Sequence, residues 1–265
     1  MSNIYFASDF HLGIPSWHQA KEREHRILRW LQQVSIDPNL SAIYLVGDLF
    51  DFWFEYSTVV PKGYVRFLGK LAELSDRGVA LHIFTGNHDV WMFDYFEKEL
   101  KAKVYRDPIR VKLGEKHFLI GHGDGLGPGD YSYKFIKKIF RNPFCQWLFR
   151  WLHPDIGTRL ASFFSHSSRA AQKGPKAFLG ADKEWLLQYA DKKLSESPEI
   201  DFFIFGHRHL AQDLRLKDGK ARYVNLGDWF QANTYALFDG QELKLCYFEH
   251  PEGLEQIEIV NLDDL

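Results

Sequence analysis

Five short segments of the chain gather oxygen and nitrogen donors where an apolar run ends. They are Asp9-Phe10-His11, Gly47-Asp48, Gly86-Asn87-His88-Asp89, Gly121-His122-Gly123-Asp124 and Gly206-His207-Arg208-His209. Two carboxylates, one amide and four imidazoles (Asp9, His11, Asp48, Asn87, His122, His207 and His209) give about four ligands to each of two cations once one carboxylate bridges. The set holds no cysteine, which argues against a structural zinc site and for Mn, Fe, Co or Zn bound through oxygen and nitrogen. Two such ions ~3.5–4 Å apart can hold a hydroxide, polarise a phosphoryl group and stabilise an in-line displacement. Each segment alone is commonplace. Asp-x-His is an ordinary surface turn, and Gly-His an ordinary core histidine. The reading rests on all five occurring in this order, each at a strand end.

The elements that must position these donors are legible in the apolar pattern. Ile4–Ala7, Ala42–Val46, Val79–Phe84, His117–Ile120 and Phe202–Phe205 read as strands that stop at a donor segment. His18–Val34, Tyr64–Arg77 and Trp91–Leu100 carry apolar residues at helical spacing. Strand–helix alternation predicts an α/β fold with a largely parallel, buried sheet, whose ligands lie at the carboxyl ends of the strands. Asp9 and His11, two apart, then face one side of a strand end. The glycine before each later ligand allows tight turns and close backbone approach. Arg222–Asn225, Thr234–Phe238 and Glu242–Phe248 read as antiparallel strands of a second sheet, with Asp239-Gly240 as a hairpin turn.

The chain has 265 residues, 45% hydrophobic and 16% aromatic, enough for one large α/β domain with an inserted subdomain. The expected division is a core of 1–130 and 177–265 around an insertion at 131–176. That insertion carries nine basic residues against one acid, Asp155, within a chain whose formal charge is −2. It also holds Tyr131, Phe135, Phe140, Trp147, Phe149 and Trp151, and Pro143, Pro154 and Gly157 divide it into about three short helices. It reads as a helical cap, basic on one side and apolar on another. The overall charge carries no nucleic-acid signature. Cys145 and Cys246 match no metal or redox motif and read as reduced cytosolic thiols. The first strand begins almost at once, without a basic leader, and no run of 18 apolar residues occurs. The expectation is a cytoplasmic protein with no spanning helix.

The order Asp-x-His, Gly-Asp, Gly-Asn-His-Asp, Gly-His, Gly-His-x-His resembles the calcineurin-like metallophosphoesterases, and Tyr223-Val-Asn-Leu-Gly-Asp resembles their closing strand. The resemblance implies two packed mixed β-sheets flanked by helices. It implies one ion on Asp9, His11, Asp48 and His209, and another on Asp48, Asn87, His122 and His207, most often Mn(II). It also implies that Asn87 and His88 lie beside the phosphate, with His88 protonating the leaving oxygen or stabilising phosphoryl charge rather than binding metal. Asp89 is expected to orient His88 or cap the next helix, and Asp124 to support a ligand.

Within that superfamily, Gly47-Asp48-Leu49-Phe50-Asp51-Phe52-Trp53 and His122-Gly123-Asp124-Gly125-Leu126, followed by Asp130-Tyr131 and the basic aromatic insertion, look most like the UDP-2,3-diacylglucosamine pyrophosphate hydrolases of lipid A synthesis. These give UMP and 2,3-diacylglucosamine 1-phosphate from a lipid-linked UDP-sugar, and the insertion receives the acyl chains. The resemblance extends to substrate contacts by Trp53, Asp130, Ser167, Arg169 and Lys173. Two departures stand out: His88 replaces the arginine common in that group, and Ala171 falls where an asparagine is expected. A basic amphipathic face also suits the anionic inner-membrane surface. Three other readings compete. Another metallophosphoesterase, a nucleotide pyrophosphatase or phosphodiesterase, is the first; within it a diadenosine tetraphosphatase or protein phosphatase would carry Gly-Asp-x-x-Asp-Arg-Gly, which Phe52-Trp53 breaks. A nuclease would need phosphate contacts less interleaved with aromatics. A non-catalytic scaffold would have lost ligands, and none is missing.

Overall fold

A computed structural model describes residues 2–13, 17–128, 131–160 and 178–262. Strands β1 (Asn3–Ala7), β2 (Leu40–Val46), β3 (Ala80–Phe84) and β4 (Lys103–Tyr105) run parallel in one sheet. On the other side of β1 that sheet continues, antiparallel, with β10 (Thr234–Phe238) and β11 (Leu243–Tyr247). The second sheet has the order β12-β8-β9-β7-β6-β5. Its members are β5 (Ile109–Leu113), β6 (Lys116–Ile120), β7 (Phe202–Phe205), β8 (Gln212–Arg215), β9 (Arg222–Asn225) and β12 (Val260–Asn261). Within it β6, β7 and β9 are parallel neighbours.

Strand alternation decides the layers. Ile4 and Phe6 of β1, with Ala42, Tyr44 and Val46 of β2, meet Phe118, Ile120, Phe202, Ile204 and Val224 from the other sheet in one core. The intervening residues Tyr5, Ala7, Ile43 and Leu45 pack instead on Ile27, Trp30 and Leu31 of α1 (Trp17–Ser35) and Phe67 and Leu71 of α2 (Val65–Asp76). Phe203, Phe205 and Tyr223 pack outward on Leu186 and Leu187. Both sheets are therefore buried on both faces, which is why their parallel strands read as unbroken apolar runs. The fold is α/β, two mixed six-stranded sheets flanked by helices.

The tail departs from expectation. Arg222–Asn225 belongs to the second sheet, parallel to β7, whereas β10 and β11 extend the first. The Asp239 turn joins β10 to β11 as read, its carboxylate accepting from the Gln241 and Glu242 N–H groups. The helix expected over Trp91–Leu100 begins only at Tyr95 (α3, Tyr95–Leu100), because Trp91 bridges to Phe54 and Glu55 diverts the chain. The buried Glu55 carboxylate accepts from the N–H groups of Phe93, Asp94 and Tyr95 at 2.6, 2.8 and 3.1 Å, doing the work of an N-cap from another loop.

The segment after residue 130 forms α4 (Tyr131–Arg141), α5 (Pro143–Arg150) and a helical stretch over 154–160. Asn142 caps α5 by accepting from the Phe144 and Cys145 N–H groups, with Pro143 at its first position. Phe140 and Phe149 pack on Phe54, Val90 and Trp91, while Phe135, Phe144, Trp147 and Trp151 are exposed. Helix α6 (Trp185–Glu196) then covers the second sheet.

Glu55→Ala removes the acceptor from those three N–H groups and from the Trp53 indole, which donates at 3.0 Å. It is expected to lower unfolding free energy by about 3–5 kcal/mol, read from urea denaturation. A loss within experimental error would show that the loop finds other acceptors.

Candidate metal centre

All five donor segments leave the carboxyl ends of β1, β2, β3, β6 and β7, so the site straddles the common edge of both sheets. Adjacent loops are tied by the main chain. The Asp9 N–H donates to Gly47 O and the His11 N–H to Asp48 O, at 3.1 and 2.9 Å, and the Gly206 N–H donates to His122 O at 3.0 Å. Asp9, His11, Asp48, His207 and His209 all have positive φ, between 42° and 66°. Left-handed backbone at five non-glycine positions is costly and clusters where a site demands it.

The donors converge in two groups. Asp9, His11, Asp48 and His209 form one, and Asp48, His122 and His207 the other. Asp48 Oδ2 lies 3.5 Å from His11 Nε2 and 3.3 Å from His122 Nε2, so this one carboxylate oxygen faces a donor of each group. Asp48 Oδ1 accepts the His88 N–H at 2.9 Å. Asp9 Oδ1 faces His209 Nε2 at 3.2 Å, while its Oδ2 accepts the His207 N–H at 3.0 Å. His122 Nδ1 is 2.9 Å from Val46 O, so that nitrogen carries a proton and Nε2 is the one that faces Asp48. Asp9 Oδ1, Asn87 Oδ1 and His122 Nε2 are buried without a hydrogen-bond partner among the described residues. Buried, unpartnered polar atoms within and beside two groups of carboxylates and imidazoles fit a divalent cation site.

Glycines set the spacing. A Cβ on Gly86 would lie 2.1 Å from Asp48 Oδ1, one on Gly206 2.4 Å from Asp9 Oδ2, and one on Gly47 2.6 Å from His122 Nδ1. Each of these donor loops is thus packed by bare backbone against a donor side chain from another loop.

Three supporting residues were not singled out from the sequence. Asp51, buried, has Oδ1 3.5 Å from His88 Nδ1 and 3.9 Å from His11 Nδ1, and its carbonyl lies 3.1 Å from His88 Nδ1. Asp228 Oδ2 lies 3.5 Å from His209 Nδ1, the arrangement that orients a ligating histidine. Arg23 of α1 donates to the His11 carbonyl at 2.5 Å. Asp51 was legible as the second acid of Gly47-Asp48-Leu-Phe-Asp51, and Asp228 as the last residue of Tyr223-Val-Asn-Leu-Gly-Asp, though neither motif told which histidine it would face; Arg23 is brought in by tertiary packing and leaves no local signal.

Other expectations need correction. Asp89 neither orients His88 nor caps a helix. Its Oδ1 accepts the Gly86 N–H and its Oδ2 the Leu49 N–H, both at 2.7 Å, clasping two ligand loops. Burial, with Asp48 nearby, pushes its pKa up to about 7. Trp53 is fully buried in the core, out of reach of a substrate. Asp124 is not one of these: it accepts from Tyr133 and pairs with Lys137 of α4, and against burial its charge helps to raise the pKa of His122. Asp130, Ser167, Arg169 and Lys173 lie outside the described residues.

Residues 2–211 match the family model for calcineurin-like phosphoesterases. The chain is 42% identical over 263 residues to a UDP-2,3-diacylglucosamine hydrolase from Porphyromonas gingivalis, covering 95% of this chain and 99% of that one. It is 26% identical to an Aeromonas hydrophila protein of the same name, over 91% and 96% of the two chains. A solved phosphoesterase from E. coli superposes with a TM-score of 0.47 at 15% identity, over 97% of each chain.

The charges packed around the cluster set which of its groups holds a proton. Burial opposes charge on His122, but Asp48, Asp9 and Asp124 overcome it and lift the pKa to about 10. Burial dominates at His11 and His207 and lowers both to about 4. Burial also opposes ionisation of Asp9 and Asp48, yet the surrounding imidazoles hold both well below the usual carboxylate range. At neutral pH the imidazolium therefore sits on His122, and a cation bound through its Nε2 competes with that proton. Mn(II) uptake should release about one proton between ~pH 7 and 9, and affinity should rise about tenfold per pH unit there. Calorimetry in buffers of differing ionisation enthalpy reads the proton; His122→Gln should abolish the release.

Proposed function

The chain belongs to the calcineurin-like phosphoesterase family, and on that premise we propose that it is a dinuclear-metal hydrolase of the pyrophosphate in UDP-2,3-diacylglucosamine. The products are UMP and 2,3-diacylglucosamine 1-phosphate. The observation that carries this reading is the convergence of two carboxylate–imidazole groups on Asp48, with the first helix of the basic, aromatic insertion bound to Asp124 two residues past His122. Near-full-length identity of 42% to a protein named for that reaction supports the substrate.

In this reading Asp9, His11, Asp48 and His209 hold one divalent ion, and Asp48, Asn87, His122 and His207 the other. Mn(II) is the favoured ion, with Fe, Co or Zn as alternatives. Such a pair supplies positive charge against the phosphoryl oxygens and acidifies a water for attack on phosphorus. His88 stands beside the phosphate. With Nδ1 at the Asp51 carbonyl, its Nε2 is the nitrogen that holds or yields a proton to the departing oxygen. Asp51 keeps that ring in register.

The chain divides into a phosphoesterase core, 1–130 and 177–265, and a cap, 131–176. The cap presents Tyr131, Phe135, Trp147 and Trp151, between 52% and 81% exposed, beside Lys134, Lys138 and Arg150. That combination suits acyl chains next to a pyrophosphate, and it suits peripheral seating on the anionic cytoplasmic face of the inner membrane. Among the described residues no helix is long and apolar enough to cross a membrane. Asp130, Ser167, Arg169 and Lys173 remain proposed substrate contacts, the last three to the lipid head.

Purified protein with Mn(II) should release UMP from the diacylated UDP-sugar, and Asp48→Ala should abolish it. Turnover of dinucleotides or DNA alone would refute the substrate. His88→Gln should lower kcat about 10²–10⁴-fold with metal stoichiometry intact. The paired change Trp147→Ser and Trp151→Ser should raise KM for the lipid substrate about tenfold or more, as expected for loss of large apolar contacts. It should leave hydrolysis of bis(p-nitrophenyl) phosphate within about twofold; equal losses on both substrates would make these rings structural.

A further inference from the structure

Helix α4 touches two ligand loops at once. At its first turns, Tyr133 Oη donates to Asp124 Oδ2 at 2.5 Å, and Lys137 Nζ reaches both Asp124 Oδ2 at 2.5 Å and the Asp124 carbonyl at 2.9 Å. Lys134 Nζ donates to Gly127 O in the same loop, and a Cβ on Gly125 would come within 3.3 Å of the Tyr133 ring. Asp124 is two residues past His122. At its last turn, the Phe140 carbonyl accepts the Trp91 indole N–H at 2.8 Å, with the two rings 5.0 Å apart. Trp91 is four residues past Asn87.

The two loops so braced carry His122 and Asn87, which share one ion in the ligand assignment above. Ligands peculiar to the other ion are supported from elsewhere. Asp228 faces His209, Arg23 holds the His11 carbonyl, and the Trp229 N–H donates to Asp9 O at 3.4 Å.

Resting on the two-ion reading, we propose that Tyr133 and Lys137 are positioning residues, and that α4 is a strut setting the geometry of the ion held by Asn87, His122 and His207. The ion held by Asp9, His11 and His209 does not depend on it. The physical basis is that residues fixing a ligand-bearing loop govern metal affinity by about 10–100-fold without touching the metal.

The test is Mn(II) binding to the full chain by calorimetry, with electron paramagnetic resonance to separate mononuclear from coupled dinuclear species. Wild type should take up two ions. Tyr133→Phe with Lys137→Met should retain one ion at wild-type affinity and bind the second about tenfold or more weakly, with the coupled signal replaced by a mononuclear one at limiting metal. Lys137→Arg alone, which keeps a cation on Asp124, should restore near wild-type uptake. The single Tyr133→Phe gives a milder loss in the same direction and serves if the double variant is unstable. Equal weakening of both ions, or none, with two ions on wild type, would overturn the strut alone. A wild-type chain that never takes up a second ion would overturn the two-ion reading and the strut together.

Discussion

Four buried ionisable side chains, Asp9, His11, Asp48 and His122, crowd together with the half-buried His207 and His209, and that crowding governs the architecture around them. Asp48 Oδ2 is within 3.5 Å of two imidazole nitrogens, and His11 Nε2 is 3.2 Å from His209 Nε2. Like lone pairs at this separation repel, and unpaired acceptors in a dry interior cost several kcal/mol each. A shared cation relieves both at once. Against burial, the same negative charge from Asp48, Asp9 and Asp124 raises the pKa of His122. The chain thus keeps a set of groups that favours binding over its own ease of folding, as functional sites commonly do.

Holding such a cluster together requires rigid backbone rather than side-chain reach. The parallel strands deliver the loops to one edge, but five ligands still adopt positive φ. The compensation is visible in the packing. Gly47, Gly86 and Gly206 let backbone sit directly against His122, Asp48 and Asp9. Asp89 clasps the Gly86 loop to the Leu49–Phe50 turn. Asn225, at the end of β9, donates to Gly206 O and accepts from the Gly227 N–H, stiffening the turn before His207. A loop strained at one residue is fixed at its neighbours, which is how several unfavourable conformations persist together.

Much of this was readable before any fold was known, because the signal is local. A strand's apolar run and the glycine–ligand step after it lie within a few residues. The missing pieces are those that local pattern cannot carry. The tail strands alternate identically whether they join one sheet or the other, so only tertiary pairing splits β9 from β10 and β11. Trp91–Phe93 have helical spacing, but Glu55, from another loop, captures the N–H groups at the helix start. Trp53 sits in a motif that resembles a substrate contact, yet its ring stacks among Phe50, Tyr64, Tyr95 and Phe96 in the core. Motif membership carries chemistry only when the side chain also faces the cavity.

The aromatic helices after residue 130 show the same principle in the other direction. Composition alone gives two readings, a small core or an exposed apolar face, and the structure divides the residues between them. Phe140 and Phe149 turn inward onto Phe54 and Trp91, and the Trp91 indole fixes the Phe140 carbonyl, so these rings are an anchor. Trp147 and Trp151 contact one another edge to face at 6.0 Å yet stay 52% and 75% exposed. A helical pair that satisfies its anchor and still leaves two tryptophans in water has apolar area beyond what its own folding uses. With lysines and arginines along the same helices, that surplus fits a ligand that is greasy at one end and anionic at the other. The residues that grip the protein and those that would grip the lipid are therefore distinct, and the anchor can be kept while the outer face is varied.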